Sequence, residues 1–227
     1  MVTLDKVYTA SKVLKNIIRE TDMIYAPDLK EGTKVYLKTE NLQMTGSFKI
    51  RGAFFKIACL SDEEKAHGVI ACSAGNHAQG VALAATKNGI KSLICLPDGA
   101  AISKVEATKS FGAEVCMVKG VYDDAYQKAM ELQAEKGYTF IHPFDDEDVI
   151  AGQGTIGLEV LEQLPDVDVV IVPIGGGGLI SGIAYTIKQL APNCRVYGVQ
   201  ASGAPCMENS LAKSKVCSLC GVQTVAL

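Results

Sequence analysis

An α/β fold with parallel sheets covered by helices on both faces is what this sequence predicts, and three observations predict it. Short β-rich runs alternate with helical patterns along most of the chain, a rhythm that joins parallel strands through helices. The 227 residues, 48% apolar and 21% charged, suffice for one large domain or two smaller ones with real cores. Glycines close three of the helical runs, Gly89, Gly112 and Gly137, each where a residue of positive φ is wanted. In order, the elements are a strand at Val35–Lys38, a helix at Phe48–Leu60, a strand at Gly68–Cys72 and a helix at His77–Asn88. The strand Ser92–Leu96 and helix Ala101–Phe111 follow, then the strand Glu114–Val118 and helix Tyr122–Lys136. Thr139–Ile141 is the next strand, and Gly152–Gln163 the next helix. Val169–Ile174 is an almost wholly apolar strand, Leu179–Leu190 an apolar helix, and Val196–Val199 the last strand. His142–Asp148 is the most loop-like break, a candidate domain junction whose acidic residues read as a solvated loop.

Composition excludes several classes. A formal net charge of −3 leaves no basic surplus for nucleic acid. Residues 169–187 carry no charge, yet Pro173, Gly175 to Gly178, Ser181, Gly182 and Thr186 interrupt them, so a membrane span is not expected. The first residues lack a secretion signal, and a cytoplasmic location is expected. Eight cysteines, spread from Cys59 to Cys220, read as buried reduced thiols. The close pair Cys217/Cys220 lacks a second pair or enough histidines for a zinc site, so no metal is expected.

Three motifs carry chemistry. The strand Val169–Ile174 runs into Gly175-Gly176-Gly177-Gly178 and then a helix, so glycine backbone can approach a phosphate that the helix N-terminus attracts. A P-loop needs Lys-Ser/Thr after its last glycine, and Gly182 is followed by Ile183-Ala184. A dinucleotide loop needs a third glycine where Ile180 and Ser181 stand. The second motif, Thr45–Gly52, starts a helix with Lys49, where burial and positive backbone dipoles favour the neutral amine needed for Schiff-base chemistry. In the third, Ser73-Ala-Gly-Asn-His-Ala-Gln-Gly80, a strand turns into a helix with hydroxyl, amide and imidazole donors, an anion site suited to a carboxylate. An N-cap at Ser73 or Asn76 would serve the helix alone. Together the three describe pyridoxal phosphate chemistry on an amino acid.

Ser47-Phe-Lys-Ile-Arg-Gly52, Ser73-Ala-Gly-Asn-His77 and Gly175-Gly-Gly-Gly-Leu179, in this order, closely resemble the threonine/serine dehydratase branch of the tryptophan-synthase-β-like, fold type II enzymes. The likeness extends over the chain and includes Glu40-Asn-Leu-Gln43 and Ala151-Gly-Gln-Gly-Thr155. It implies two domains with parallel-rich open twisted sheets flanked by helices: a smaller one at residues 48–150 and a larger one from residues 1–47 and 151–227. It implies that Lys49 holds pyridoxal 5'-phosphate as a Schiff base, with Phe48 beside the cofactor and Asn76 on its 3′-oxygen. Gly175, Gly176, Gly177, Gly178 and Leu179 would hold the phosphate, and Ser73, Ala74, Gly75, Asn76 and His77 the substrate carboxylate. Members continue beyond this length, so a C-terminal part is expected to be missing, including the group that meets the pyridine nitrogen. Gln223–Ala226 resembles the start of a family segment that goes on past Leu227. Gln200 stands near where racemase-like relatives carry an acidic metal ligand.

The activity implied is threonine ammonia-lyase, converting L-threonine to 2-oxobutyrate and ammonia and L-serine to pyruvate. Substrate amine displaces Lys49, the freed lysine takes the Cα proton, and the β-hydroxyl leaves with help from the cofactor phosphate. A homodimer or homotetramer is implied. The alternatives are a serine racemase of the same fold, whose turn carries a serine where this chain has Ala74, and a catalytically silent ligand-binding regulatory module.

Overall fold

The computed structural model describes residues 1–219, 221, 223 and 224. The chain order is α1 (Leu4–Leu14), β1 (Met23–Tyr25), β2 (Tyr36–Lys38), α2 (Lys49–Ala58), α3 (Asp62–His67), β3 (Val69–Cys72), α4 (Asn76–Lys87), β4 (Ser92–Pro97) and α5 (Ile102–Ser110). It continues with β5 (Glu114–Val118), α6 (Tyr122–Lys136), β6 (Thr139–Phe140), α7 (Glu147–Gln163), β7 (Val169–Pro173), α8 (Gly178–Leu190), β8 (Arg195–Val199) and α9 (Cys206–Lys213).

The four-stranded sheet β5-β4-β3-β6 is parallel throughout. Its central strands alternate between two cores, as a pleated strand covered on both faces must. Val69, Ala71, Ile94 and Leu96 face α2 and α4, packing on Ile50, Ala53, Ile57, Ala78, Val81 and Ala85. Ile70, Cys72, Leu93 and Cys95 face α6, packing on Ala125 and Ala129. A parallel pair, β7-β8, packs on α7 and α8 through Val172, Ile156, Val160, Ile183 and Ile187, and β1-β2 is an antiparallel hairpin.

Helix crossings rest on glycine. A Cβ on Gly152 would stand 2.6 Å from Gly52 Cα, so α7 and α2 touch backbone to backbone. A Cβ on Gly182 would run into the Ile150 carbonyl, and one on Gly157 would stand 3.0 Å from Thr186 Cβ, which brings α8 equally close to α7. This is the structural role of the Ala151–Thr155 motif.

Two expectations change. The acidic stretch before residue 149 is not a free solvated loop. Asp146 caps α7, accepting from Asp148 N–H at 2.8 Å and Val149 N–H at 3.1 Å, and α7 therefore begins at Glu147 rather than Gly152. Carboxylates are favoured there by the helix dipole. Asp148 also pairs with Lys6 at 2.6 Å, and Asp146 with Lys56 at 2.8 Å. The uniform burial expected of the cysteines also fails: Cys72, Cys95 and Cys194 are buried, Cys116, Cys206 and Cys217 half-buried, and Cys59 is exposed at the end of α2. Cys220 and Val225–Leu227 lie outside the described residues, and with them the Cys217/Cys220 pair and the end of the Gln223–Ala226 segment.

Candidate active site

Lys49 opens α2, and the chain upstream fixes where it opens. Gly46 adopts a φ of 70°, which glycine takes without strain, and donates to the Gln43 carbonyl at 2.8 Å. Gln43 is buried; its Oε1 accepts from the Arg19 and Met44 N–H groups and its Nε2 donates to the Arg19 carbonyl at 2.7 Å. Ser47 Oγ accepts from Lys49 N–H at 3.2 Å, satisfying a donor that a helix start leaves free. One turn on, the fully buried Arg51 donates to Glu40 at 2.8 and 2.7 Å, to both Glu159 oxygens and to Thr155 Oγ1 at 3.1 Å. Burial opposes that charge, and the hydrogen bonds to Glu40 and Glu159 outweigh it, raising the guanidinium pKa. Gly80 of α4 completes the frame, since a Cβ there would stand 3.1 Å from the Lys49 carbonyl carbon.

The Lys49 side chain extends away from this frame to the Pro143 carbonyl. Its Nζ donates to the Pro143 carbonyl at 2.7 Å and lies 5.4 Å from the Phe48 ring centroid. Burial lowers its pKa to about 8, toward the neutral amine.

The Ser73–His77 turn joins β3 to α4. Ser73 Oγ accepts from Gly75 N–H at 3.2 Å, and Gly75 occupies the cap position, so neither Ser73 nor Asn76 caps α4. Asn76 is exposed, with no side-chain partner among the described residues. The imidazole expected among the anion donors is turned inward: His77 is buried and its Nε2 donates to the Ile141 carbonyl at 2.8 Å. A buried ring needs such a partner. Burial first, and the Lys49 charge second, lower its pKa to about 3, keeping it neutral. The donors left to an anion are the backbone N–H groups, Ser73 and Asn76.

The glycine loop follows β7. Gly177 takes a φ of 93° at the cap position of α8, where no side chain caps the helix. A Cβ on Gly176 would enter the Phe144 ring, and one on Gly178 would stand 2.7 Å from the Phe144 carbonyl oxygen, whereas Gly175 faces open space. Leu179 and Phe48 belong to one apolar cluster with Val172, which draws the loop toward the lysine.

The three motifs meet where the strand expected at Thr139–Ile141 passes into the loop-like break that starts at His142. Ile141 holds His77, Pro143 receives Lys49, and Phe144 supports Gly176 and Gly178. His142 braces the segment, its Nδ1 accepting from Asp145 N–H at 2.8 Å and its ring packing edge-on to Phe144, with centroids 4.8 Å apart. Only the His-Pro-Phe pattern, a proline-fixed turn among aromatics, hinted at this. Gln200 accepts from Met207 and Glu208 N–H groups at 3.0 and 3.1 Å and so caps α9.

A desolvated amine, a turn with free donors and an uncapped helix start behind glycines define an amine-and-anion site on an α/β scaffold. The chain belongs to the pyridoxal-phosphate dependent enzymes, whose family model matches residues 14–226. It is 50% identical to an L-threonine ammonia-lyase of Thermotoga maritima, over 100% of this chain and 57% of that protein. It is 48% identical to the catabolic L-threonine dehydratase TdcB of Escherichia coli K12, over 95% of this chain and 66% of that protein. Among solved structures, maize serine racemase superposes with a TM-score of 0.96 at 36% identity, covering 99% of this chain and 69% of that one. Threonine deaminase isoform 2 of Solanum lycopersicum gives 0.92 at 39%, covering 99% of this chain and 64% of that one. The chain thus spans between about half and two thirds of the curated relatives' length, from 54% to 66%. The residues fit the family's cofactor: Lys49 offers an amine already partly desolvated, and the Gly175–Gly178 cradle has no room for side chains at Gly176 and Gly178. No described helix is long and apolar enough to cross a membrane.

Proposed function

We propose that this chain forms the cofactor- and substrate-binding part of a threonine ammonia-lyase that releases 2-oxobutyrate and ammonia from L-threonine, and pyruvate and ammonia from L-serine. The observation that carries the reading is the convergence of Lys49, the glycine loop and the Ser73–His77 turn on residues 141–144. Pyridoxal phosphate, when bound, supplies an electron sink for the Cα carbanion. Lys49 Nζ holds the cofactor before substrate arrives and afterwards takes the Cα proton, tasks for which a pKa near 8 suits it. The N–H groups of Gly175 to Gly178 and Leu179 bind the phosphate, Phe48 packs beside the cofactor, and Asn76 reaches its 3′-oxygen. The donors of the Ser73–Asn76 turn and the His77 N–H take the substrate carboxylate. The domains we assign are residues 48–150, and residues 1–47 with 151–227; α7 crosses residue 150 without a break and links them. A cytoplasmic homo-oligomer is part of the same proposal.

Likeness to maize serine racemase supports a second reading, in which Cα is reprotonated from the opposite face. Ala74 opposes it, since a methyl group transfers no proton. Full-length protein incubated with L-threonine is expected to release 2-oxobutyrate, and borohydride reduction followed by peptide mapping to label Lys49; label on another lysine overturns the site. With L-serine, pyruvate is expected with little D-serine, and Ala74→Ser is expected to raise the racemised fraction. D-serine formed as fast as pyruvate by the unmodified enzyme would make it a racemase.

A further inference from the structure

Away from the site, three cysteines form a row across the four-stranded sheet. Cys72 pairs in register with Cys95, and Cys95 with Cys116, on the adjacent parallel strands β3, β4 and β5. Cys72 and Cys95 lie in the core under α6, and the half-buried Cys116 packs against its edge. Neighbouring strands stand about 4.8 Å apart. Two metal–sulfur bonds of about 2.3 Å placed end to end span nearly that distance, so side chains in register on neighbouring strands are spaced for a shared cation. Among the described residues no three Cys, His, Asp or Glu side chains converge on a point, which rules out the tetrahedral geometry of zinc. Thiolate pairs without further ligands suit soft, low-coordinate ions.

We propose that Cys95 and Cys116 form a two-coordinate site for a soft monovalent cation, Cu(I). Cys116 is half-buried on the edge strand β5 and gives the ion its way in, while Cys95 is fully buried behind it. Cys72 is set apart, its thiol directed at the Tyr122 carbonyl at 3.9 Å. Binding displaces one proton from each thiol, and each sulfur donates an electron pair, leaving a bis-thiolate copper unit of charge −1 and two protons in solvent.

The test is an anaerobic titration of the full-length, cofactor-loaded protein with Cu(I) buffered by bathocuproine disulfonate, in a background where Cys59, Cys206, Cys217 and Cys220 are serine. One Cu(I) per chain is expected, with two sulfur neighbours by X-ray absorption. Cys95→Ala and Cys116→Ala are each expected to weaken binding by more than about 100-fold, while Cys72→Ala retains it. Circular dichroism checks that each variant is folded, and Cys116→Ala, at a half-buried position, keeps the test available if Cys95→Ala does not fold. Undiminished binding in Cys116→Ala, equal loss in Cys72→Ala, a third ligand in the absorption spectrum, or formation of a Cys95–Cys116 disulfide that expels the copper would each overturn the site.

Discussion

The β3–α4 and β7–α8 junctions share one plan, a strand passing through a glycine-containing turn into a helix whose start no side chain caps. They carry it out in opposite ways. The β3–α4 turn bears side chains and is anchored by one of them, His77, on the Ile141 carbonyl. The β7–α8 turn has no side chain in four residues and is anchored by what glycine permits, the press of Gly176 and Gly178 against Phe144. Side chains let a turn discriminate among ligands by donor type; bare backbone lets an anion come close to several N–H groups at once. Under the proposed function the first turn reads the substrate and the second grips the cofactor.

The largest expected effect breaks the bare turn. Gly176→Val drives a side chain into the Phe144 ring, while Gly175→Ala adds a methyl group in open space. Loss of two charge-assisted hydrogen bonds, at about 1.5–3 kcal/mol each, predicts a fall in pyridoxal phosphate affinity of at least about 100-fold for Gly176→Val. Gly175→Ala should stay within about threefold. Spectroscopic titration of the apoprotein measures both, and equal losses would place the phosphate elsewhere.

A smaller effect is expected at the other turn. His77→Ala leaves the Ile141 carbonyl without its partner and costs about 1–3 kcal/mol in urea unfolding. By loosening the turn it should raise KM for L-threonine more than it lowers cofactor affinity. A variant whose cofactor affinity falls as far as that of Gly176→Val would erase the distinction between the turns.

The smallest effect concerns Lys49, which under the proposed function both turns serve. With a pKa near 8, about a tenth of Lys49 is neutral at pH 7, against well under a thousandth for an exposed lysine. Its rate of adduct formation with a simple aldehyde in the apoprotein should rise from pH 7 and level off above about 8, while exposed lysines keep gaining rate toward about 10.4. Peptide-resolved labelling reads each lysine, and a Lys49 profile matching the rest would show that burial does not depress it. The sign carries over to stability: between these pH values the unfolded chain holds a proton that folded Lys49 has lost, so this group's contribution to stability rises with pH there.

Local signals were legible in the sequence and long-range ones were not. The limits of α6 agree with the structure, and Gly89, Gly112 and Gly137 do take positive φ, because a cap is written in a few adjacent residues. The helix α1 escaped notice because only Val7, Ala10 and Leu14 mark its buried stripe, and α3 because it buries nothing, although Ser61 and Glu64 form a capping box. At the site, Lys49, the glycine loop and the Ser73–His77 turn stood out as turn chemistry. Residues 141–144 did not, since they act through the Ile141 and Pro143 carbonyls, which every residue has. The ties of Arg51 to Glu40 and Glu159 join residues 11 and 108 positions apart, a distance no local pattern spans.

The glycine crossings of α7 have a mechanical consequence. Lys49 sits at the start of α2 and the glycine loop at the start of α8, and α7 touches both helices, α2 where Gly152 lies on Gly52 and α8 where Gly182 lies on Ile150 and Gly154. Contacts between side chains yield by changing rotamer, whereas contacts between backbones have no rotamer to change. The three helices therefore behave as a stiff caliper: a small displacement of the jaw at α8 passes undamped to the jaw at α2, so that the span offered to a ligand gripped at both ends is set by backbone contact rather than by side-chain packing.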